Sequence, residues 1–272
     1  MCRWLVYQGP EIFLSTLLFK PKHSLVHQSF EAQQAPTTTN ADGYGVGWYG
    51  ARPQPGVIRD VRPAWNDENL HQVAAQMRSG MFFAHVRATT GTAIQRSNCH
   101  PFYFDRWLFQ HNGEIMGFEQ IRQELDCAID PALYSGLQGS TDSERMFFLA
   151  LTFGLREDPP GALARMVGFV ERTAAQAKLE NPVQMTVAVT DGEGIWAVRY
   201  SSEGASRTLY VADDTRALRA IENGEEEPLP ADSVLILSEP LDDLCDRWTP
   251  VPEASLLAVE HGECSMYDFR PE

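Results

Sequence analysis

The five cysteines of this chain, at positions 2, 99, 127, 245 and 264, include no CxxC pair. An odd, scattered set argues against a disulfide framework and a zinc ribbon, and a reducing cytoplasm is the expected compartment. Positive charge is also scarce: 22 Lys and Arg stand against 37 Asp and Glu, a formal net charge of -15, and no basic run occurs. That field repels a phosphate backbone or an anionic bilayer, so neither nucleic acid nor membrane is an expected partner. Long hydrophobic runs are missing as well. The most apolar stretch, MFFLALTFGL from Met146 to Leu155, is too short to span a bilayer and reads as a buried helix. No basic segment leads into an apolar run at the start, so no secretory signal is expected. Internal repeats and low-complexity segments are absent from the sequence.

What is present is an ordinary globular composition, 43% hydrophobic and 22% charged over 272 residues. That length suits one large domain or two modest ones. NGEEEPLPADS reads as a polar loop rather than a linker, so residues 2–272 are expected to form a single domain. Arg3 to Tyr7, ahead of Gly9-Pro10, predicts a first strand almost at the terminus. GYGVGWYG alternates glycine with larger residues, but its spacing is GxGxG and no helical pattern follows. It reads as a strand that lets another backbone approach closely, not as a phosphate loop. MFFAHVRA is a strand, and RWLFQHNGE is another that runs into a turn at Asn112-Gly113. Helical periodicity covers Asp67 to Met77, FEQIRQELDCAI, DSERMFFLALTFGL and PGALARMVGFVERTAAQAKL. The last third returns to strands, with VQMTVAVTDGEGIWAVRY as a hairpin turning at DGEG, then TLYVAD, SVLILSEPL and SLLAVEHGECSMYDF. Strands, then helices, then strands predict packed layers rather than alternating βαβ units.

Reactive and hydrogen-bonding groups collect at the edges of these strands. Cys2 stands directly behind the initiator Met1. Loss of Met1 would free an α-amino group of ordinary pKa about 7.7–8.0, a base carried by the nucleophile itself. The plain alternative is a small apolar residue with no role. In HNG, the Asn112 amide and the Gly113 N–H are two donors able to converge on one point, as an oxyanion requires; the alternative is an ordinary hairpin turn. Arg87 interrupts an apolar strand, and a buried guanidinium demands an anion, either a substrate carboxylate or an internal Asp. Asp142 opens a helix, where it either caps the first turn or holds a substrate ammonium. HSLVH places His23 and His27 four apart, but position 24 is Ser and no further ligand pattern follows, so the pair reads as structural and no metal site is expected.

Cys2, NADGYGVGWY, AHVRATTG, NCHPF, HNGE and GSTDSE, in this order, resemble the class II glutamine amidotransferases, whose nucleophile is the N-terminal residue. HSLVHQS, RPAWNDENL and QGSTDSE bring the likeness nearer to stand-alone members, such as ergothioneine-pathway γ-glutamyl amidohydrolases and the amidotransferase-like subunits of glutathione-degradation complexes. The resemblance implies an α+β fold, a four-layer αββα sandwich of two antiparallel sheets between helices. It implies Cys2 as nucleophile with its own amine as base, and Asn112 and Gly113 as the oxyanion hole. Arg87 would hold a glutamyl α-carboxylate, Asp142 its α-ammonium, and Thr90 would line the same pocket. Asn98 and His100 would be scaffold residues. Where synthase-type members carry Trp and His after the arginine and the threonine, this chain has Ala88 and Gly91. The expected reaction is hydrolysis of a γ-glutamyl amide, of glutamine or of a conjugate, through a thioester and without metal or organic cofactor. A glutaminase subunit passing ammonia to a separate partner protein, and a non-enzymatic assembly subunit, are the alternatives.

Overall fold

The run RWLVY begins a strand at once because its residues alternate between two buried environments. Trp4 and Val6 pack in the cluster between two sheets, whereas Leu5 and Tyr7 pack in the cluster under a helical layer. The computed structural model describes residues 2–32, 39–89, 91–212, 219–222, 225–230, 232–243 and 247–272. In chain order the strands are β1 (Arg3–Phe13), β2 (Tyr44–Trp48), β3 (Gly56–Asp60), β4 (Arg78–Val86), β5 (Phe102–Phe104), β6 (Trp107–Ile115), β7 (Val183–Thr190), β8 (Ile195–Ser201), β9 (Tyr210–Ala212), β10 (Arg219–Glu222), β11 (Glu225–Pro228), β12 (Val234–Leu237), β13 (Thr249–Pro250), β14 (Ser255–Glu260) and β15 (Glu263–Asp268). The helices are α1 (Ser15–Leu18), α2 (Leu25–Phe30), α3 (Glu68–Gln76), α4 (Phe118–Ala128), α5 (Pro131–Tyr134), α6 (Asp142–Thr152) and α7 (Pro159–Gln176).

Seven strands form one sheet in the order β13-β9-β12-β1-β4-β2-β3, and six form the other in the order β15-β14-β8-β7-β6-β5. Every pairing among the described residues is antiparallel. The sheets face each other through Trp4, Phe83, Leu108, Ala197 and Ile236. The first sheet packs its outer face on α1, α2 and α3, burying Leu17, Leu25 and Leu70. The second packs on α4, α6 and α7, burying Leu125, Phe147 and Val167. The result is the four-layer αββα sandwich. Met146 to Leu151 are buried on every side, which is why α6 reads as an apolar run rather than an amphipathic stripe.

Three local expectations change. The first strand does not stop at Tyr7 but continues past Gly9-Pro10 to Phe13, with its register against β4 shifting between Gln8 and Ile12. The segment read as a loop at NGEEEPLPADS contributes β11, which pairs with β10. Asn112-Gly113 is not a turn: β6 runs through it to Ile115, with Asn112 opposite Thr186 and Gly113 opposite Met185. A Cβ at Gly113 would stand 1.8 Å from the Gln184 carbonyl oxygen, at a φ of +155°. This glycine serves close approach of a neighbouring backbone, not chain reversal.

Candidate active site

The catalytic candidates are delivered by strand ends. Cys2 lies one residue before β1 and shares the parity of Trp4 and Val6, which face the space between the sheets. Its Sγ contacts the Ala88 carbonyl at 3.6 Å. Cys2 keeps partial surface exposure, but burial of the sulfur pushes the thiol above its ordinary pKa, while the positive charges of Arg87 and Arg3 pull it back. Arg3 is buried, pairs with Glu239, and donates from Nη1 to the Cys2 carbonyl at 2.7 Å.

Arg87 sits one residue past β4, where its N–H still reaches the Gly43 carbonyl at 2.8 Å. Its guanidinium is buried and donates to neutral oxygens alone: Thr92 Oγ1 at 2.6 Å, Ala93 O at 3.3 Å, Thr89 Oγ1 at 3.4 Å and Asp42 O at 3.4 Å. Among the described residues it has no carboxylate partner, which removes the internal-Asp alternative at that level. The Asp42 carboxylate instead accepts the Thr89 N–H at 2.8 Å and braces the loop.

Thr141, not Asp142, caps α6, its hydroxyl accepting the Glu144 N–H at 3.2 Å. Asp142 occupies the first turn and accepts from the Ile115 N–H at 2.8 Å, the Ser143 N–H at 2.7 Å and the Ser143 hydroxyl at 3.1 Å. The same Ser143 hydroxyl meets His111 Nδ1 at 2.8 Å. Burial lowers the His111 pKa, and the Asp142 charge opposes that shift.

Cys2, Arg87, Gly113 and Asp142 line one cavity of about 330 Å³. Asn112 does not belong to its wall: the residue is buried, and its Nδ2 has no hydrogen-bond partner among the described residues. It shares the parity of Leu108 and Gln110, which face between the sheets, and Gln110 reaches the Leu5 carbonyl at 3.1 Å. Cys2 and Asn112 therefore point into the same inter-sheet layer. Thr90 and Met1 lie outside the described residues.

Asn98 ties the NCHPF segment to the start of α6. Its Nδ2 donates to Ala93 O at 2.9 Å and Ser140 Oγ at 3.2 Å, and its Oδ1 accepts from Ser140 N at 2.9 Å and Gln95 Nε2 at 3.2 Å. His100 stacks on His85 with ring centroids 4.2 Å apart, and His85 Nε2 lies 3.1 Å from the His111 carbonyl. Burial drives His85 down to about 3 and His100 well below its usual value, so both rings are neutral at pH 7. His23 and His27 do not share a helix face. His23 precedes α2 and meets Asp243 at 2.7 Å.

Sequence reasoning overlooked Thr92, whose hydroxyl makes the shortest contact to Arg87. Its place three residues past Thr89 in ATTGTA was the available signal. The arrangement joins a thiol, an uncompensated cation and a carboxylate around one small space, a fit for the opposite charges of an amino-acid head group.

The family model for class-II glutamine amidotransferases matches residues 19–271. The chain belongs to the class II glutamine amidotransferases. It is similar to the probable glutamine amidotransferase DUG3 of Saccharomyces cerevisiae, 31% identical over 96% of this chain and 82% of that protein. The gamma-glutamyl-hercynylcysteine sulfoxide hydrolase of Mycobacterium tuberculosis is 29% identical over 95% of this chain and 93% of its own. Among solved structures, a glutamine aminotransferase class-II domain protein from Silicibacter pomeroyi superposes with a TM-score of 0.73 at 33% identity, covering 99% of this chain and 100% of that one. The glutamine phosphoribosylpyrophosphate amidotransferase of B. subtilis, at 13% identity and a TM-score of 0.63, shares the fold over 98% of this chain and 49% of its own. This class II amidotransferase thus has the enzyme fold of the N-terminal-nucleophile type.

Proposed function

We propose that this chain hydrolyses γ-glutamyl amide bonds through a thioester on Cys2. The observation that carries the reading is one cavity lined by a thiol and two opposite charges, Cys2, Arg87 and Asp142. The substrate α-carboxylate gives Arg87 the anion it otherwise lacks. The Asp142 oxygens, with acceptor capacity beyond their three bonds, take the α-ammonium. Held by its head group, the substrate turns its δ-carbonyl toward Cys2.

Removal of Met1 leaves the α-amino group of Cys2 free to take the thiol proton. The thiolate attacks the δ-carbon, and the oxyanion accepts hydrogen bonds from Asn112 Nδ2 and the Gly113 N–H. The C–N bond breaks as the ammonium returns its proton to the leaving nitrogen. Water then adds to the thioester and gives a proton to the amine, and departure of glutamate restores the thiol. A reducing compartment such as the cytoplasm keeps that thiol free. β1 lies between β4 and β12, so segments far apart in the chain build one sheet, in keeping with a single functional domain over residues 2–272.

The mycobacterial hydrolase supports a γ-glutamyl conjugate as the substrate. The yeast relative, by its name, supports a second reading with glutamine as the substrate; in that reading the ammonia passes to a separate partner protein. Protein with Met1 removal verified by mass spectrometry is to be assayed against glutamine and a panel of γ-glutamyl amides. Turnover by the parent, with Cys2→Ala folded and inactive, is the expected result. Inertness of the processed protein toward the whole panel would favour a non-enzymatic assembly role instead.

A further inference from the structure

We propose that Arg207 reads a carboxylate on the leaving amine, making a γ-glutamyl-α-amino acid with a free carboxylate a better substrate than glutamine. This rests on the γ-glutamyl reading above and adds a specificity residue to it. Among the described residues Arg207 makes no hydrogen bond and no ion pair, and its Nε is shut away from solvent without a partner. The backbone around it is nevertheless firmly held. The Ser206 N–H and hydroxyl donate to Glu253 at 3.0 and 2.5 Å, and Arg199 Nε donates to Ser206 Oγ at 3.0 Å. The Thr208 hydroxyl donates to Ser238 O at 2.9 Å. An arginine that is pinned on both sides and has an unspent donor fork is preorganised for a ligand.

Its position is beside the proposed chemistry. Ser238 exchanges backbone and hydroxyl bonds with Trp4 at 3.0 and 3.1 Å, two residues past Cys2. On the other side Gln184 Nε2 reaches Ala205 O at 3.4 Å, and Gln184 pairs across the sheet with Glu114, a cavity-lining residue. Partial burial works against the charged form of Arg207; of the neighbouring charges, Glu114 favours that form, and Arg3, bonded to the Cys2 carbonyl, opposes it. Arg207 is thus tethered near the start of β1 and the end of β6, next to residues that line the cavity though not itself one of them.

The chemistry of the leaving group fits this place. In a γ-glutamyl-α-amino acid the second carboxylate carbon is about 2.5 Å from the scissile nitrogen. Such a substrate carries two carboxylates and one ammonium, and a protein of net charge -15 repels it at long range. Arg87 answers the head carboxylate, and Arg207 supplies the second cation. The ammonia released from glutamine has no anion for Arg207 to hold.

The test pairs γ-glutamyl-alanine with γ-glutamyl-alaninamide, which differ in that carboxylate alone. The parent should favour γ-glutamyl-alanine in kcat/KM. Arg207→Gln should shrink the ratio between the two probes about 10- to 100-fold, the size of lost charge-assisted hydrogen bonds, through KM rather than kcat. Arg207→Lys should recover part of it. A ratio unmoved by Arg207→Gln overturns the assignment while leaving hydrolysis intact. Binding of both probes is also measured in a Cys2→Ala background, with and without Arg207→Gln. If the processed parent cleaves neither probe, but γ-glutamyl-alanine binds in an Arg207-dependent manner, hydrolysis fails and the carboxylate subsite stands.

Discussion

Two buried asparagines should respond in opposite ways to truncation. Asn98 satisfies both donors and accepts twice, from Ser140 N and Gln95, while Asn112 Nδ2 has no partner among the described residues. Asn98→Ala breaks four hydrogen bonds in a fully buried place and strands their partners, at a cost of about 3–5 kcal/mol. In a chain of this size that lowers Tm by about 6–20 °C. Asn112→Ala removes an unsatisfied buried donor worth about 1–3 kcal/mol of penalty, which offsets the packing lost with the amide. Its Tm should stay within about 2–4 °C of the parent. Its kcat should nonetheless fall about 10²- to 10³-fold, the usual effect of losing one oxyanion donor. Thermal melts by circular dichroism and steady-state release of glutamate from a γ-glutamyl amide measure the two quantities. An Asn112→Ala protein that melts many degrees lower yet keeps near-parental kcat would refute the reasoning, because the amide would then be structural.

Other outcomes follow from the same geometry. Gly113→Ala should lose both fold stability and activity, since the new methyl would sit 1.8 Å from the Gln184 carbonyl oxygen and β6 must part from β7. Parental Tm and activity in that variant would contradict the strand geometry. His85 has a folded pKa of about 3, below its unfolded value of about 6.5. Its contribution to stability is therefore complete above pH about 6.5 and is lost as pH falls toward about 3, at up to about 1.4 kcal/mol per pH unit. Denaturation at stepped pH should find a flatter acid limb in His85→Gln, and an unchanged limb would count against a neutral buried ring. Cys2→Ala should abolish turnover with Tm preserved, and residual parental activity would remove the sulfur from the mechanism.

Local pattern was enough to place most elements. MFFAHVRA folds as β4 as far as Val86 and DSERMFFLALTFGL as α6 as far as Thr152, each an apolar run because the element is buried on more than one face. The order of strands, helices and strands pointed to layers for the same reason, and the joint order of the motifs around Cys2, Arg87 and Asp142 marked these residues as candidates at strand and helix ends. Tertiary structure decided the rest. Asn112-Gly113 has the composition of a turn, and only the approach of the β7 backbone made it a strand interior. Whether Arg87 was neutralised from within depended on which carboxylates the fold carried nearby, and the nearest loop carboxylate, Asp42, is turned to the Thr89 N–H. Arg207, more than two hundred positions from Cys2 in sequence, comes near the start of β1 because Thr208 is bonded to Ser238, just past β12, and β12 pairs with β1. Burial periodicity is a property of neighbours along the chain, whereas charge compensation and close approach are properties of neighbours in space.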